Sequence, residues 1–200
     1  MHFRLVLALI VGALSSLAVA ADPRAALGKV YAAPAGVGSE LLGTHPPEWQ
    51  VSEWLQTPPL TLAELRGKVV LIRWWTGPQC PYCAASADGL NALWKKNKER
   101  GLVVIGMYHH KAESPLTHEH VEAQVRKLGF EFPIGVDREW KTLRNWWLDG
   151  QPRGWTSVTF LLDREGRICH IDPGGAYFPG EPGYAALEAA VEKALRGSDR

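Results

Sequence analysis

A buried strand that leads directly into a Cys-x-x-Cys helix start is the feature of this sequence that most restricts its fold. Residues 68–75 are rich in β-branched and aromatic side chains and are apolar on both faces, which predicts a central strand. Residues 76–79 break the strand, and Pro81 favours the first turn of a helix, where its missing N–H costs nothing. The apolar stripe of that helix consists of Cys83, Ala87, Leu90 and Trp94.

Predicted strands and helices alternate along the rest of the chain. Strands are expected at 102–107 and within 130–136, and helices at 119–128, 138–147 and 184–195. Residues 158–162 and 167–171 flank a turn at 163–166, which predicts a hairpin. This order predicts an α/β fold in which helices cover both faces of a mixed β-sheet.

The composition of the chain excludes several functional classes. Its 200 residues suit one domain of moderate size, and 46% hydrophobic residues are too many for a disordered chain. The 22 lysines and arginines are balanced by 21 aspartates and glutamates, so we expect no nucleic-acid partner. Three cysteines are too few for a disulfide-stapled mini-protein.

The first twenty residues have the pattern of a secretory signal peptide. His2 and Arg4 precede an apolar run over residues 5–17, and Ala18-Val19-Ala20 matches a small-residue cleavage site. The run is shorter than the about 20 residues that span a membrane. We therefore expect a signal peptide at 1–20, a flexible lead-in at 21–41, and a periplasmic mature chain without a stable membrane span. An uncleaved N-terminal anchor is the alternative.

The Cys80-Pro81-Tyr82-Cys83 segment carries the chemistry. Cysteines three residues apart at a helix start share a face, so their sulfurs can form a disulfide. The positive helix end and its free N–H groups lower the pKa of Cys80, whereas Cys83 is expected to be more buried, with a higher pKa. Cys80 is therefore the predicted attacking residue, and Cys83 resolves the mixed disulfide without a cofactor. The alternatives are a structural disulfide and half of a zinc site.

Five segments of the chain together point to a family. They are Gly43 with Pro47-Glu48-Trp49, the run at 65–71, the Cys80–Cys83 pair, Phe132-Pro133-Ile134 with Asp137, and 159–163 with Gly166. With them, residues 42–174 resemble the TlpA-like thiol–disulfide oxidoreductases of the thioredoxin fold, which are related to the redoxin (AhpC/TSA) group. The resemblance implies a thioredoxin-like domain at 42–197 with an N-terminal extension, and an exported enzyme that exchanges disulfides with partner proteins. The Cys-Pro-Tyr-Cys quartet alone is also similar to that of glutaredoxins.

Two positions depart from the family pattern. The family's cis-proline before the Thr-x-Phe strand is replaced by Ser157, and a trans Thr156–Ser157 bond is expected because a non-proline cis bond costs about 2.5–4 kcal/mol. The family's buried acid, six residues before the first cysteine, is replaced by Trp74, which leaves no evident proton acceptor for Cys83. The residues expected to bind the substrate polypeptide are Pro81, Tyr82, Trp155, Thr156 and Ser157.

Two other functions stay open at this point. A peroxiredoxin-like thiol peroxidase has the same fold, but it needs Pro and Thr seven and three residues before the reactive cysteine, where this chain has Arg73 and Gly77. A non-enzymatic metal-binding chaperone would use Cys80 and Cys83 together with His109 or His110.

The histidines and the third cysteine have less specific patterns. His109 and His110 end the second core strand, where a protonated histidine would stabilise the Cys80 thiolate, although solvent-facing histidines are the favoured interpretation. His118 and His120 are expected to point to different helix faces. Cys169 is interpreted as a buried cysteine, with pairing between chains or a third redox thiol as alternatives.

Overall fold

The computed structural model describes residues 36–77 and 79–197, which form a six-stranded mixed sheet covered on both faces. The strands are β1 (Glu53–Leu55), β2 (Val69–Trp75), β3 (Leu102–Tyr108), β4 (Ile134–Val136), β5 (Val158–Leu162) and β6 (Ile168–Pro173). The helices are α1 (Pro81–Asn97), α2 (His118–Leu128), α3 (Lys141–Leu143) and α4 (Pro182–Arg196). The strand order is β1-β4-β3-β2-β5-β6. The predicted signal peptide and residues 21–35 of the predicted lead-in lie outside the described residues.

All seven residues of β2 are buried, which confirms the predicted central strand. It pairs in parallel with β3 and antiparallel with β5, so both of its edges are hydrogen-bonded. Successive side chains of a strand point to opposite faces. Leu71 and Trp75 therefore belong to one core, and Ile72 and Trp74 to another.

The two cores have different coverings. The first core lies under α1, α2 and α4, which contribute residues such as Leu90, Val121 and Val191. The second core, on the opposite face, is rich in tryptophan and includes Trp146 and Trp147, which follow β4 in the chain. Val37 and Leu41, at the end of the predicted lead-in, also pack against the second core. The prediction of helices on both faces of a mixed sheet is confirmed.

The two sheet edges differ in how well the sequence predicted them. β5 and β6 form the predicted hairpin, in which the Gly166 N–H donates to the carbonyl of Asp163 at 2.9 Å. At the other edge, β4 covers only the end of the predicted 130–136 strand, because Pro133 has no N–H to donate to a ladder. β1 pairs antiparallel with β4 and is a strand of three residues that is not among the strands expected from the sequence.

The prediction of one continuous α-helix over residues 138–147 is wrong. Trp140 has a φ of 58°, in the left-handed region, so an α-helix cannot pass through it. Helix α3 begins only after this residue and changes within one turn into a π-helix, Arg144–Leu148. The buried carboxylate of Asp137 accepts hydrogen bonds from two backbone N–H groups of α3 at 3.1 and 2.8 Å. This cap fixes the start of the helix where the periodicity of the sequence does not show it.

No helix within residues 36–77 and 79–197 has the length and apolar character that crossing a bilayer requires.

Gly89 of α1 lies against the backbone of the segment that precedes α4. A β-carbon at Gly89 would lie 2.0 Å from the carbonyl oxygen of Tyr177, and a backbone atom cannot rotate away. We expect Gly89→Ala to lower the free energy of unfolding by about 1–3 kcal/mol, measured by urea denaturation. Gly154→Ala is the matched control, because nothing lies within 4 Å of a β-carbon there. Equal losses in the two variants would contradict this packing.

Candidate active site

The junction of β2 and α1 places two free thiols at different depths. Cys80 is the N-cap residue of α1, with an extended backbone, and its carbonyl accepts the N–H groups of Cys83 at 3.0 Å and Ala84 at 3.1 Å. Cys80 is partly exposed, whereas Cys83 is only 1% exposed and packs in the first core. The cap geometry holds one sulfur at the surface and its partner one helical turn behind it.

The pKa values of the two thiols are moved in opposite directions. The pKa of Cys80 is lowered to about 5, first because the Cys83 side chain hydrogen-bonds to its sulfur, and then through the Cys83 backbone N–H, the Arg73 charge and the Ser157 side chain. Burial acts against this shift. The pKa of Cys83 is raised far above its usual value, chiefly because its proton is held in the hydrogen bond to Cys80, and also by burial. At neutral pH Cys80 is a thiolate and Cys83 a thiol.

Ser157 connects Cys80 to the strand on the other side of the site. Its side chain hydrogen-bonds to the Cys80 sulfur, and its carbonyl accepts the Gly174 N–H at 2.7 Å. The residues described contain no cis peptide bond, which confirms the predicted trans bond between Thr156 and Ser157. Serine thus reaches the reactive sulfur with a hydroxyl at a position where the family has a cis-proline.

Arg73 is a buried charged residue that the sequence indicated only as the replacement of the peroxidase proline. Its side chain is 1% exposed and donates hydrogen bonds to four oxygens: the carbonyls of Ser157, Gly174 and Gly175 and the hydroxyl of Thr159. Its charge lowers the pKa of both Cys80 and Cys83. A guanidinium therefore lies buried under the dithiol, held by backbone carbonyls rather than by a carboxylate.

The family pattern has its buried acid beneath the dithiol, six residues before the first cysteine, but Trp74, which has that position in this chain, does not lie there. Trp74 points into the second core, where its ring packs edge-on against Trp146 and Phe160. A count of six residues back from Cys80 includes the turn between Cys80 and β2. Because of that turn, the count ends at a residue whose side chain points to the sheet face opposite to α1. The strand alternation was the available signal, because Arg73 shares its face with Leu71 and Trp75, which contact α1.

A cleft of about 410 Å³ opens beside Cys80. Its lining residues are mostly polar: Thr76, Gln79, Cys80, Lys111, Ala112, His120, Gln124 and Ser157. Of the five residues predicted to bind substrate, only Ser157 lines this cleft. Pro81 is exposed and Tyr82 half-buried at the start of α1. Trp155 and Thr156 are half-buried, and Trp155 packs against the second core.

The histidines at the end of β3 differ from the prediction. His109 is fully buried rather than solvent-facing, and neither of its ring nitrogens has a hydrogen-bond partner. The pKa of His109 is lowered to about 3, mainly because of its burial. His109 is therefore neutral at pH 7 and supplies no positive charge to Cys80. His110 and His120 both hydrogen-bond to the Tyr108 hydroxyl, at 2.8 and 3.2 Å. His118 lies on another face of α2 than His120, as their spacing predicted, and it pairs with Glu53.

Two further predictions concern the third cysteine and metals. Cys169 is exposed rather than buried, although its sulfur donates a hydrogen bond to the carbonyl of Leu161 at 3.4 Å. Partial burial of that sulfur raises the pKa of Cys169 to about 11. Over residues 36–77 and 79–197, no three or more histidines, cysteines or acidic residues are grouped so that they could hold a metal ion.

The fold and the dithiol at a helix start define a thioredoxin-like protein. Solved structures of that class agree. The structure assigned to the thiol:disulfide interchange protein DsbE of Chlorobium tepidum has a TM-score of 0.62 and 22% identity, covering 77% of this chain and 97% of that one. The thioredoxin domain of thiol-disulfide oxidoreductase BVU-2223 of Bacteroides vulgatus has a TM-score of 0.57 and 17% identity, covering 75% and 97%. At these identities the likeness shows the fold.

The chain belongs to the AhpC/TSA family, whose model matches residues 42–171. It is similar to Protein DipZ of Mycobacterium tuberculosis, with 30% identity over 159 residues, 78% of this chain and 21% of DipZ. It is also similar to the thiol-disulfide oxidoreductase ResA of Bacillus anthracis, with 26% identity over 127 residues, 64% of this chain and 66% of ResA. The chain thus matches about a fifth of DipZ and slightly less than two thirds of ResA.

The difference in thiol pKa values predicts selective alkylation. At pH 6.5, iodoacetamide is expected to modify Cys80 in the reduced protein while Cys83 and Cys169 stay unmodified, because only a thiolate reacts. Peptide mass spectrometry over a time course measures the three rates. Cys169 is the internal control, since it is exposed but has a raised pKa. Faster modification of Cys169 than of Cys80 would contradict the acidified thiol.

The buried His109 predicts a loss of stability at acid pH. Its pKa in the folded state is lowered from 6.5 to about 3, so between these values the unfolded chain binds a proton that the folded protein does not. Stability therefore falls as the pH drops from 6.5 towards 3. We expect His109→Leu to reduce this fall, measured by urea denaturation at several pH values. His118→Gln is the control, because a raised pKa at His118 favours the folded state at acid pH. An unchanged pH profile in His109→Leu would contradict the prediction.

Proposed function

We propose that this protein is an exported thiol–disulfide oxidoreductase that exchanges its Cys80–Cys83 dithiol or disulfide with cysteines of partner proteins. The observation that carries the proposal is the asymmetry of the pair, with a partly exposed Cys80 of lowered pKa in front of a buried Cys83 of raised pKa. Similarity to ResA, a thiol-disulfide oxidoreductase by name, supports the same reaction.

The reaction proceeds by two thiol–disulfide exchanges. The Cys80 thiolate attacks a disulfide of the partner, so that one partner sulfur leaves as a thiolate and a mixed disulfide forms. Cys83 then loses its proton and attacks the Cys80 sulfur. The Cys80–Cys83 disulfide forms, the second partner sulfur leaves, and two electrons have passed to the partner. With a partner dithiol the same steps run in reverse and the partner is oxidised.

The surface around Cys80 is the proposed docking site for the partner polypeptide. Pro81 and Tyr82 follow Cys80 in the chain, and Trp155, Thr156 and Ser157 precede β5, where Ser157 lines the same cleft as Cys80. The Ser157 hydroxyl bonds to the Cys80 sulfur and lies in the cleft, so it is the member of this set with direct contact to the reacting atom.

Export is proposed on the pattern of residues 1–20, which have a basic start, an apolar run and a small-residue end. Expression of the full chain in a bacterium, followed by fractionation and intact-mass measurement, tests this. The expected product is periplasmic and lacks residues 1–20. A full-length product in the membrane fraction would favour an uncleaved anchor, and a cytoplasmic product would contradict export.

The exchange reaction makes separate predictions for the three cysteines. Wild type is expected to catalyse reduction of a disulfide-bonded model peptide by dithiothreitol, and Cys80→Ser to abolish catalysis because the attacking sulfur is missing. Cys83→Ser is expected to accumulate a mixed disulfide through Cys80, visible as an added peptide mass. Cys169→Ser is the control and should retain the wild-type rate.

Two outcomes would reject the proposed reaction. No exchange by the reduced wild-type protein would do so directly. Rapid consumption of hydrogen peroxide, far above the rate of a free thiol, would instead favour a thiol peroxidase. That activity is not expected, because Gly77 has no hydroxyl to orient a peroxide three residues before Cys80.

A further inference from the structure

The buried Arg73 has no carboxylate among its direct hydrogen-bond acceptors. All four are neutral oxygens, and its Nε has no partner within the residues described. The acid on its own side of the sheet is Asp172, which accepts a hydrogen bond from the Tyr177 hydroxyl at 2.8 Å, while the Tyr177 ring lies 5.2 Å from the guanidinium. A buried cation of this kind is stabilised when an anion forms close to it.

The Cys80 sulfur is the group that can supply this anion. By strand alternation Arg73 shares its face of β2 with Leu71 and Trp75, which belong to the same core as Cys83, and its charge lowers the pKa of both thiols. Ser157 joins the two groups, because its carbonyl accepts a hydrogen bond from Arg73 and its side chain bonds to the Cys80 sulfur. In the reduced protein the cation therefore faces a thiolate, whereas in the disulfide form that negative charge is gone.

We propose that Arg73 is a positioning residue that favours the reduced dithiol over the disulfide, so that the protein acts as an oxidant of dithiols in partner proteins. This inference rests on the proposed exchange reaction and assigns its direction. Among the groups around the guanidinium, the Cys80 sulfur is the one that carries a negative charge in the reduced protein and none in the disulfide, and a dithiol–disulfide pair whose reduced state is stabilised accepts electrons more readily.

The oxidising step balances as follows. A thiolate of the partner attacks Cys80 in the Cys80–Cys83 disulfide, and the Cys83 sulfur leaves and takes up a proton. The second partner thiolate attacks the partner sulfur of the mixed disulfide, and Cys80 leaves as a thiolate beside Arg73. The partner dithiol has lost two electrons and two protons, of which Cys83 retains one. A second disulfide compound, such as glutathione disulfide, regenerates the protein's disulfide.

Several titratable groups surround the cation and bear on the test. They are Cys80 and Cys83 at the start of α1, His109 after β3, Asp172 on β6 and Tyr177 before α4. Burial keeps His109 neutral by lowering its pKa to about 3, and burial raises the pKa of Tyr177 far above its usual value. Within this set, Cys80 is the group whose charge changes with the redox state at pH 7.

The direct test is the redox equilibrium with glutathione at pH 7, followed by thiol trapping, in wild type, Arg73→Met and Arg73→Lys. Removing a charge that lies close to a thiolate shifts its pKa by about 1–3 units, and each unit is a tenfold change in equilibrium. We expect Arg73→Met to move the equilibrium at least tenfold towards the disulfide. We expect its Cys80 thiolate absorbance at 240 nm to titrate at least one unit higher. Arg73→Lys keeps the charge and should restore most of both properties.

A control variant separates charge from packing. Tyr177→Phe removes the hydroxyl that bonds to Thr159 and Asp172 but leaves the ring and the Arg73 charge in place. It is expected to lower the stability while leaving the pKa of Cys80 within a few tenths of the wild-type value. If Arg73→Met and Tyr177→Phe change the pKa and the glutathione equilibrium equally, Arg73 has only a structural role and the proposal is overturned.

The wild-type protein provides a second test in case Arg73→Met does not fold. The folded pKa of Cys80 is lowered, so its thiolate stabilises the reduced protein at pH values above the unfolded pKa, and this is lost as the pH falls through about 5. Reduced wild type is therefore expected to have a higher Tm than the oxidised form at pH 8, with the difference shrinking towards pH 4. An oxidised form that is more stable at pH 8 would overturn the proposal. Absence of any exchange with glutathione would instead reject the proposed function.

Discussion

The arrangement of the active site depends on how one buried charge is compensated. β2 has seven buried residues, and six of them are apolar or aromatic, so the guanidinium of Arg73 is placed where an ion loses all of its water. Carbonyls from the loops before β5 and after β6 replace part of that hydration. Because these carbonyls must converge on one group, Arg73 also fixes the loop that carries Ser157 to Cys80. The geometry and the electrostatics of the site thus have a common origin.

The ends of β2 and β3 are also where unsatisfied polar atoms are concentrated. Within the part of the chain that the structure describes, the buried side-chain nitrogens without a partner are Nε of Arg73, Nε1 of Trp75 and both ring nitrogens of His109. Each such atom costs stability that an apolar side chain of similar shape would not. All lie on β2 or directly after β3, near the edge of the sheet where Cys80 emerges. The loss of stability from these unpaired nitrogens therefore falls at the end of the sheet near Cys80, whereas the two cores are packed with apolar residues.

The sequence was sufficient to predict the central strand, the helix that begins at Pro81, the hairpin and the different depths of Cys80 and Cys83. These features depend on local patterns: alternation, a proline at a helix start, a turn and the spacing of two cysteines. The sequence was insufficient where contacts between distant segments decide the structure. The left-handed Trp140 and the cap from Asp137 shorten a helix that periodicity extends. The burial of His109 depends on packing across the sheet, for example against Trp140.

Arg73 was only partly predictable from the sequence: strand alternation indicates its sheet face, but its hydrogen bonds come from distant segments. Its presence changes the chemistry expected of the site. A carboxylate under a dithiol accepts a proton and so speeds deprotonation of the buried thiol. A guanidinium accepts no proton and instead stabilises whichever sulfur carries the negative charge. In the mixed disulfide Cys80 has no charge, so the proton of Cys83 passes to the departing thiolate or to water in the cleft. A cation at this dithiol therefore acts on the equilibrium between dithiol and disulfide, whereas a carboxylate in its place would act on the proton transfer.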